Sequence, residues 1–315
     1  MHTTATVSDT RLWAWAILAR AALDPTTAAR AHAFTRSTGT DVEDAAEQLG
    51  SLAAGPGSRA SIAEIAARDL DRAERAGAWL LTRDDPAWTG LGFDDLDSSD
   101  NQSLDAPVAV WVRGTLDPVS VLTRVGVVGS RAVSPHGARI TCEIAGALAA
   151  RSVHIVSGGA YGVDVLAHQA ALDHGVPTTL VSAAGIDRVY PTAHAGVFAE
   201  VAETGAIVSE YPPREGIEHA RLLARNRLVE AMSQQLVIPE AGPRSGTLTT
   251  ARWARRLHRP VLAVPSAPGA AARGCDRLIS EGDARPVHSV TDGTHRTRGN
   301  RRPGTPPPAR RLAAR

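Results

Sequence analysis

The sequence predicts an α/β protein, built on a doubly wound, mostly parallel sheet with a small helical domain in front of it. Three observations carry that prediction. From Val125 to Val264 six apolar, β-branched runs alternate with five amphipathic helical patterns, as βα units around a parallel sheet require. Turns bearing glycine, serine and threonine recur where these runs end. The leading residues instead show helical periodicity broken by turn residues.

Along the chain, Leu12, Trp15, Ala16, Ala19 and Leu23 recur at helical spacing. Breaks follow at Asp24-Pro25, Ser37-Thr38-Gly39 and Gly55-Pro56-Gly57, so residues 9–75 read as several short helices. Asp41, with Asp44 and Glu47 downstream, has the form of a helix N-cap with acids in the first turn. Gly77–Thr82 and Pro107–Arg113 are strand-like, and the acidic stretch Asp94–Asp105 between them reads as a loop. The alternating series then opens with strand Val125–Val128, helix Pro135–Ala150, strand Val153–Ser157 and helix Val163–His174. Strand Thr178–Ser182, helix Thr192–Thr204, strand Ala206–Ser209 and helix Ala220–Met232 continue it. Strand Leu236–Pro239, helix Ser245–Leu257 and strand Val261–Val264 close it. This divides the chain into a helical domain (1–76), an α/β domain (77–288) and an Arg/Pro-rich tail (289–315) expected to be disordered.

Composition bounds the function classes. The chain has 315 residues, 43% apolar and 21% charged, with a formal net charge of +1. That balance is uneven: −8 over residues 1–120, +3 over 121–288 and +6 over the tail. A polyanionic partner is therefore expected to meet the second half. All 34 basic residues are arginine, which excludes a Schiff-base lysine or a Walker-A lysine. It suits bidentate phosphate contacts, although a compositional bias explains it equally. Two cysteines, Cys142 and Cys275, are too few for a disulfide framework or a cysteine-rich metal site, and both read as small core residues. No apolar run reaches the roughly 20 residues of a membrane span, and Arg20 interrupts the one segment resembling a signal sequence. A cytoplasmic protein is expected.

Several turns carry more than a connection needs. Val125–Val128 leads into Gly129-Ser130-Arg131 and then Ser134-Pro135, a strand-turn-helix unit that directs backbone N–H groups at one spot and favours anions. It lacks the G-x-G-x-x-G dinucleotide fingerprint. The later turns hold Gly158 and Gly159 with Tyr161 and Asp164, then Tyr190-Pro191, Ser209-Glu210-Tyr211-Pro212, and Arg244-Ser245-Gly246-Thr247. Each alone is equally a tight βα turn with an N-cap; several at one sheet edge favour a phosphate-lined pocket. Asp164 and His168 stand at i,i+4, so a hydrogen bond between them is expected, fixing the turn. Arg221, Arg225 and Arg227 crowd one helix, a repulsion that a bound polyanion would relieve. Arg252, Arg255, Arg256 and Arg259 form a second basic patch with no acid nearby in sequence. No catalytic residue, metal site or cofactor is expected.

Taken in order, these motifs resemble the DprA/Smf family of DNA-processing proteins over roughly residues 107–287. The matches are Gly129-Ser130-Arg131, Ser157-Gly158-Gly159 through Asp164 with His168, Tyr190-Pro191, Ser209-Glu210-Tyr211-Pro212, Arg225-Asn226-Arg227, Glu240-Ala241 and Ser245-Gly246-Thr247. The resemblance implies a Rossmann-like domain that binds single-stranded DNA, acts as a homodimer and helps load the RecA recombinase in natural transformation and recombination. It further implies that Arg131, Arg225 and Arg227 contact phosphates, while Gly158, Gly159, Ser245 and Gly246 shape the pocket; Gly129 and Ser130 of the first turn and Arg221 of the crowded helix complete the expected DNA-binding set. The chain departs from the family where Leu222-Leu223 replaces Phe-Pro, Ser266 follows Pro265 and Asp283 follows Gly282, and its tail is too short for the winged helix of some members. Two other readings stand beside this one. A LOG-like nucleoside-monophosphate hydrolase shares the Gly-x-Gly-Thr type of turn, but requires a glutamate that Ser245–Arg252 does not contain. A diverged family member retained for protein contacts is the other.

Overall fold

The protein is described by a computed structural model covering residues 9–36, 41–55, 57–97, 105–116, 122–267 and 273–287. The breaks at 37–40 and Pro56, and the tail, fall outside these residues. Four helices come first: α1 (Asp9–Ala21), α2 (Ala28–Arg36), α3 (Val42–Gly50) and α4 (Ile62–Arg75). Asp41 caps α3 by accepting a hydrogen bond from the Glu43 amide at 3.0 Å. Trp15, Ile17, Leu49 and Ile62 of this front share one apolar cluster with Trp111, Leu180 and Ile207 of the sheet. Arg20 ties the two parts further, donating to Asp69 of α4 and to Glu215 of the α/β part, at 2.8 and 2.7 Å.

Strands β1 (Ala78–Leu81) and β2 (Val110–Gly114) flank two short helices, α5 (Ala87–Gly90) and α6 (Asp94–Asp97). The start of the expected acidic loop is therefore a helical turn. Leu96 is buried there, and the Trp88 indole donates to Asp94 at 3.0 Å, so packing overrides the polar composition.

The alternating series follows as β3 (Arg124–Val127), α7 (Pro135–Ala149), β4 (His154–Gly158), α8 (Val163–Asp173) and β5 (Thr178–Val181). Then come α9 (Ala195–Thr204), β6 (Ala206–Ser209), α10 (His219–Ala231), β7 (Gln235–Ile238), α11 (Gly246–Arg256) and β8 (Val261–Ala263). Helix α12 (Gly274–Ser280) and the two-residue β9 (Arg285–Pro286) end the described chain.

These strands form one sheet in the order β1-β2-β6-β5-β4-β3-β7-β8-β9. Strands β3 to β9 run parallel, and β1 and β2 add antiparallel pairs at one side. Successive residues such as Ile155 and Val156 belong to different apolar clusters, one on each face. Burial on both faces is why these strands read as continuous apolar runs. The α/β, Rossmann-like architecture is thus present. Strand β4 lies on one side of β3 and β7 on the other, so the winding reverses at β3. Ligands of such sheets bind beyond the strand carboxyl ends at that reversal. No helix among the described residues is long and apolar enough to cross a membrane.

Candidate nucleic-acid interface

At the reversal, the turns after β3, β4 and β7 and the first half of α10 enclose an open cavity of about 520 Å³. Gly129, Ser130, Arg131, Gly158, Arg225, Ser245 and Gly246 line it, as their strand-end positions predict. Gly159 lines a smaller adjoining hollow that shares Arg131 and Arg225 with the first. Arg221 and Arg227 line neither.

The floor is a buried ion pair. Asp164, at the start of α8, accepts hydrogen bonds from the amides of Gly129 and Ala160. An Arg225 Nη2 lies 3.9 Å from its carboxylate, while Nη1 donates to the Val181 carbonyl at 2.5 Å and Nε to Asn226 at 3.1 Å. Arg225 is only 4% exposed. Burial pushes the Asp164 carboxyl up and the Arg225 guanidinium down, and each is the other's main compensation. Position 158 must be glycine, because a Cβ there would overlap both groups.

The expected Asp164–His168 hydrogen bond is not formed. His168 Nε2 instead donates to the Gly158 carbonyl at 2.9 Å, and Nδ1 meets the Thr178 hydroxyl at 2.8 Å. The ring thus pins the end of β4 from beneath, and burial lowers its pKa to about 4, leaving it neutral.

Two of the helix N-termini at this edge, those of α7 and α11, differ. That of α7 is occupied by the chain's own Glu240, which accepts from the Ser134 amide at 3.0 Å and from the Ser134 hydroxyl. The Ser134 hydroxyl oxygen in turn accepts from the Gly137 amide at 3.0 Å. The anion cradle expected beyond Gly129-Ser130-Arg131 is therefore filled from within. The N-terminus of α11, capped by Ser245 through the Thr247 amide at 3.2 Å, lines the cavity through Ser245, Gly246 and Thr247.

The arginine cluster of α10 does not need an external anion. Arg227 makes two 2.6 Å hydrogen bonds to Glu210 and donates to the Asp105 carbonyl at 2.8 Å. Burial disfavours the Arg227 cation, but Glu210 outweighs it and holds its pKa above the ordinary value. Arg221 pairs with Glu215 and Glu218 at 3.0 and 3.1 Å and lies over the Tyr211 ring. The second basic patch is likewise partly answered, Arg255 by Asp283 and Arg259 by Asp95. Cys275 is buried as expected, whereas Cys142 is exposed on α7.

Two cations lining the cavity remain uncommitted. Arg131 and Arg244 are exposed, line the cavity, and have no ion-pair partner among the described residues. Arg244 was not singled out by its sequence; its signal is its place between Pro243 and the Ser245 cap. The cavity thus combines two guanidinium groups without an ion-pair partner, glycine-lined backbone, the Ser245-capped N-terminus of α11 and a buried ion pair in its floor.

The family model for DNA recombination-mediator protein A matches residues 81–298. The putative DNA processing protein DprA of Mycobacterium tuberculosis is 38% identical over 278 residues, covering 85% of this chain and 71% of that protein. The solved structure of DNA processing protein A from Streptococcus pneumoniae aligns with a TM-score of 0.66 at 26% identity, covering 91% of this chain and 97% of that one. That of DNA processing protein A from Helicobacter pylori, described for its single-stranded DNA binding mode, aligns at 0.59 with 31% identity, covering 64% and 89%.

Proposed function

The chain belongs to the DNA recombination-mediator protein A family, and from that premise we propose that its sheet-edge cavity binds the phosphate backbone of single-stranded DNA. The observation that carries the proposal is the pairing state of the arginines. Arg131 and Arg244 stand uncommitted at the cavity while Arg221 and Arg227 are neutralised by carboxylates. Gly129, Gly158 and Gly246 keep the cavity wall free of side chains, so a strand can approach it closely, and the N-terminus of α11 lies beside them. Such contacts read charge and shape rather than sequence.

A binding protein is favoured over a nucleotide hydrolase. Among the described residues lining the cavity the one carboxylate is Asp164, which faces Arg225 and two amides rather than a substrate water. In this reading the protein works in the cytoplasm as a homodimer and delivers single strands to a RecA-type recombinase, as the family resemblance implies.

The test is anisotropy titration of labelled single- and double-stranded oligonucleotides across salt. Wild type should prefer the single strand, and Arg131→Ala and Arg244→Ala should each lower the slope of log K against log salt by about 0.7, one phosphate contact apiece. Equal slopes for wild type and both variants would remove the site from this cavity. Release of free base from AMP would favour the hydrolase.

A further inference from the structure

Among the described residues four large apolar side chains stand exposed: Trp13, Tyr161, Tyr190 and Leu223. Scattered singly they would mean little, but three of them ring one site. Tyr161 and Tyr190 line the smaller hollow and Leu223 lines the larger one. Ala183, Ala184, Pro191, Ile217 and Leu222 wall the smaller hollow beside the two rings, and Arg131, Ser182 and Arg225 complete it. Its volume of about 40 Å³ holds about three waters, so it is a floor for something lying across it rather than a chamber.

The Tyr161 ring is half exposed, at 51%, yet it is held. Its turn is fixed by Gly162, whose φ of +78° brings the backbone against the Ser130 carbonyl with no room for a Cβ. The ring packs edge-on with His194 at 4.8 Å and 73°, and His194 Nδ1 lies 3.2 Å from the Gly159 carbonyl oxygen. A rigid ring loses little entropy when a second ring stacks on it. Arg131 lines both hollows, the one that holds the tyrosines and the one proposed to bind phosphate.

We propose that Tyr161, with Tyr190 beside it, is a stacking platform for one unpaired nucleobase whose phosphate lies against Arg131. The proposal rests on the DNA-binding reading above and adds a base contact to it. It makes the cavity selective for single strands, because a base within a duplex is already stacked on its neighbours. Every base has a π-face, so the platform accepts any of them.

The experiment titrates full-length protein with two labelled oligonucleotides of equal length and charge, one with ordinary bases and one with abasic sugar throughout. Wild type should bind the abasic strand about 5- to 100-fold more weakly. Tyr161→Ala should lose a similar factor on the ordinary strand and nothing on the abasic one, while Tyr161→Phe keeps wild-type affinity on both. Because the ring is half in solvent, matched melting temperatures confirm that the variants are folded. Arg131→Ala, by contrast, should weaken both strands. Equal affinity of wild type for the two oligonucleotides overturns the platform and leaves the phosphate site standing, as does an equal loss by Tyr161→Ala on both. Failure of wild type to bind either strand overturns both readings together.

Discussion

Arg225 stands 3.9 Å from Asp164 on the cavity floor, and the pair is sealed from bulk water at 5% and 8% side-chain exposure. Neither charge could be buried alone. Arg225→Ala leaves a buried carboxylate opposite a void, and the expected loss is about 3 kcal/mol of folding stability. Asp164→Asn in the same background should recover part of that loss by removing the orphaned charge. Urea denaturation of the two single variants and the double variant measures this directly. Equal stability of Arg225→Ala and wild type would mean that Arg225 serves the ligand alone.

Glu240 occupies the N-terminus of α7 as a bound anion would, through the Ser134 amide and hydroxyl. Removing it with Glu240→Ala should cost about 1–2 kcal/mol, the scale of a lost charged cap. The vacated helix terminus should then accept a free anion. Inorganic phosphate is expected to raise the melting temperature of Glu240→Ala more than that of wild type, and identical phosphate dependence would count against the vacancy.

Why the fold was legible in the sequence and these pairings were not is a matter of range. The strands of the α/β unit show themselves through β-branched runs, and the cavity-lining turns through Gly129, Gly158 and Ser245, all local signals. A helical neighbour rule sees only residues three or four apart. Glu240 lies 106 residues from Ser134, Arg259 lies 164 from Asp95, and Arg227 lies 17 from Glu210 across a chain reversal. The crowding of Arg221, Arg225 and Arg227 therefore looked like an appetite for polyanions until their acids came into view. Tyr161 and Tyr190 sit in turns that were legible, but their exposure is a property of the assembled edge.

Glu210 and Arg227 meet through two 2.6 Å hydrogen bonds with side chains 15% and 10% exposed. A double-mutant cycle with Glu210→Ala and Arg227→Ala should give a coupling of about 1.5–3 kcal/mol. Since Arg227 lines neither hollow, Arg227→Ala should leave the salt slope of DNA binding unchanged once the protein is kept below its unfolding transition. A slope lowered by one contact would return Arg227 to the DNA site.

Two buried histidines contribute to the acid limb of stability. Burial lowers His154 to about 3 and His168 to about 4 from the ordinary 6.5. Below pH 6.5 the unfolded chain takes up protons that the folded one refuses, so the contribution of each is full above 6.5 and falls as pH drops. The slope is about 1.4 kcal/mol per pH unit per histidine, ending near pH 4 for His168 and near pH 3 for His154. Glu230 works against this. Its carboxyl is fully buried without a hydrogen-bond partner and is raised well above its ordinary value, so its contribution is full at acid pH and is lost as pH rises. A comparison that holds Glu230 constant isolates the histidine. His154 Nδ1 is itself unpartnered, and Nε2 meets only the Thr179 hydroxyl at 2.8 Å, so His154→Leu removes the titrating group at modest cost. Relative to wild type, His154→Leu should gain about 1.4 kcal/mol for each pH unit below 6.5, measured by denaturant midpoints at constant ionic strength. Parallel pH profiles for the two proteins would mean that His154 is protonated inside the fold, with water reaching Nδ1 between β4 and β5.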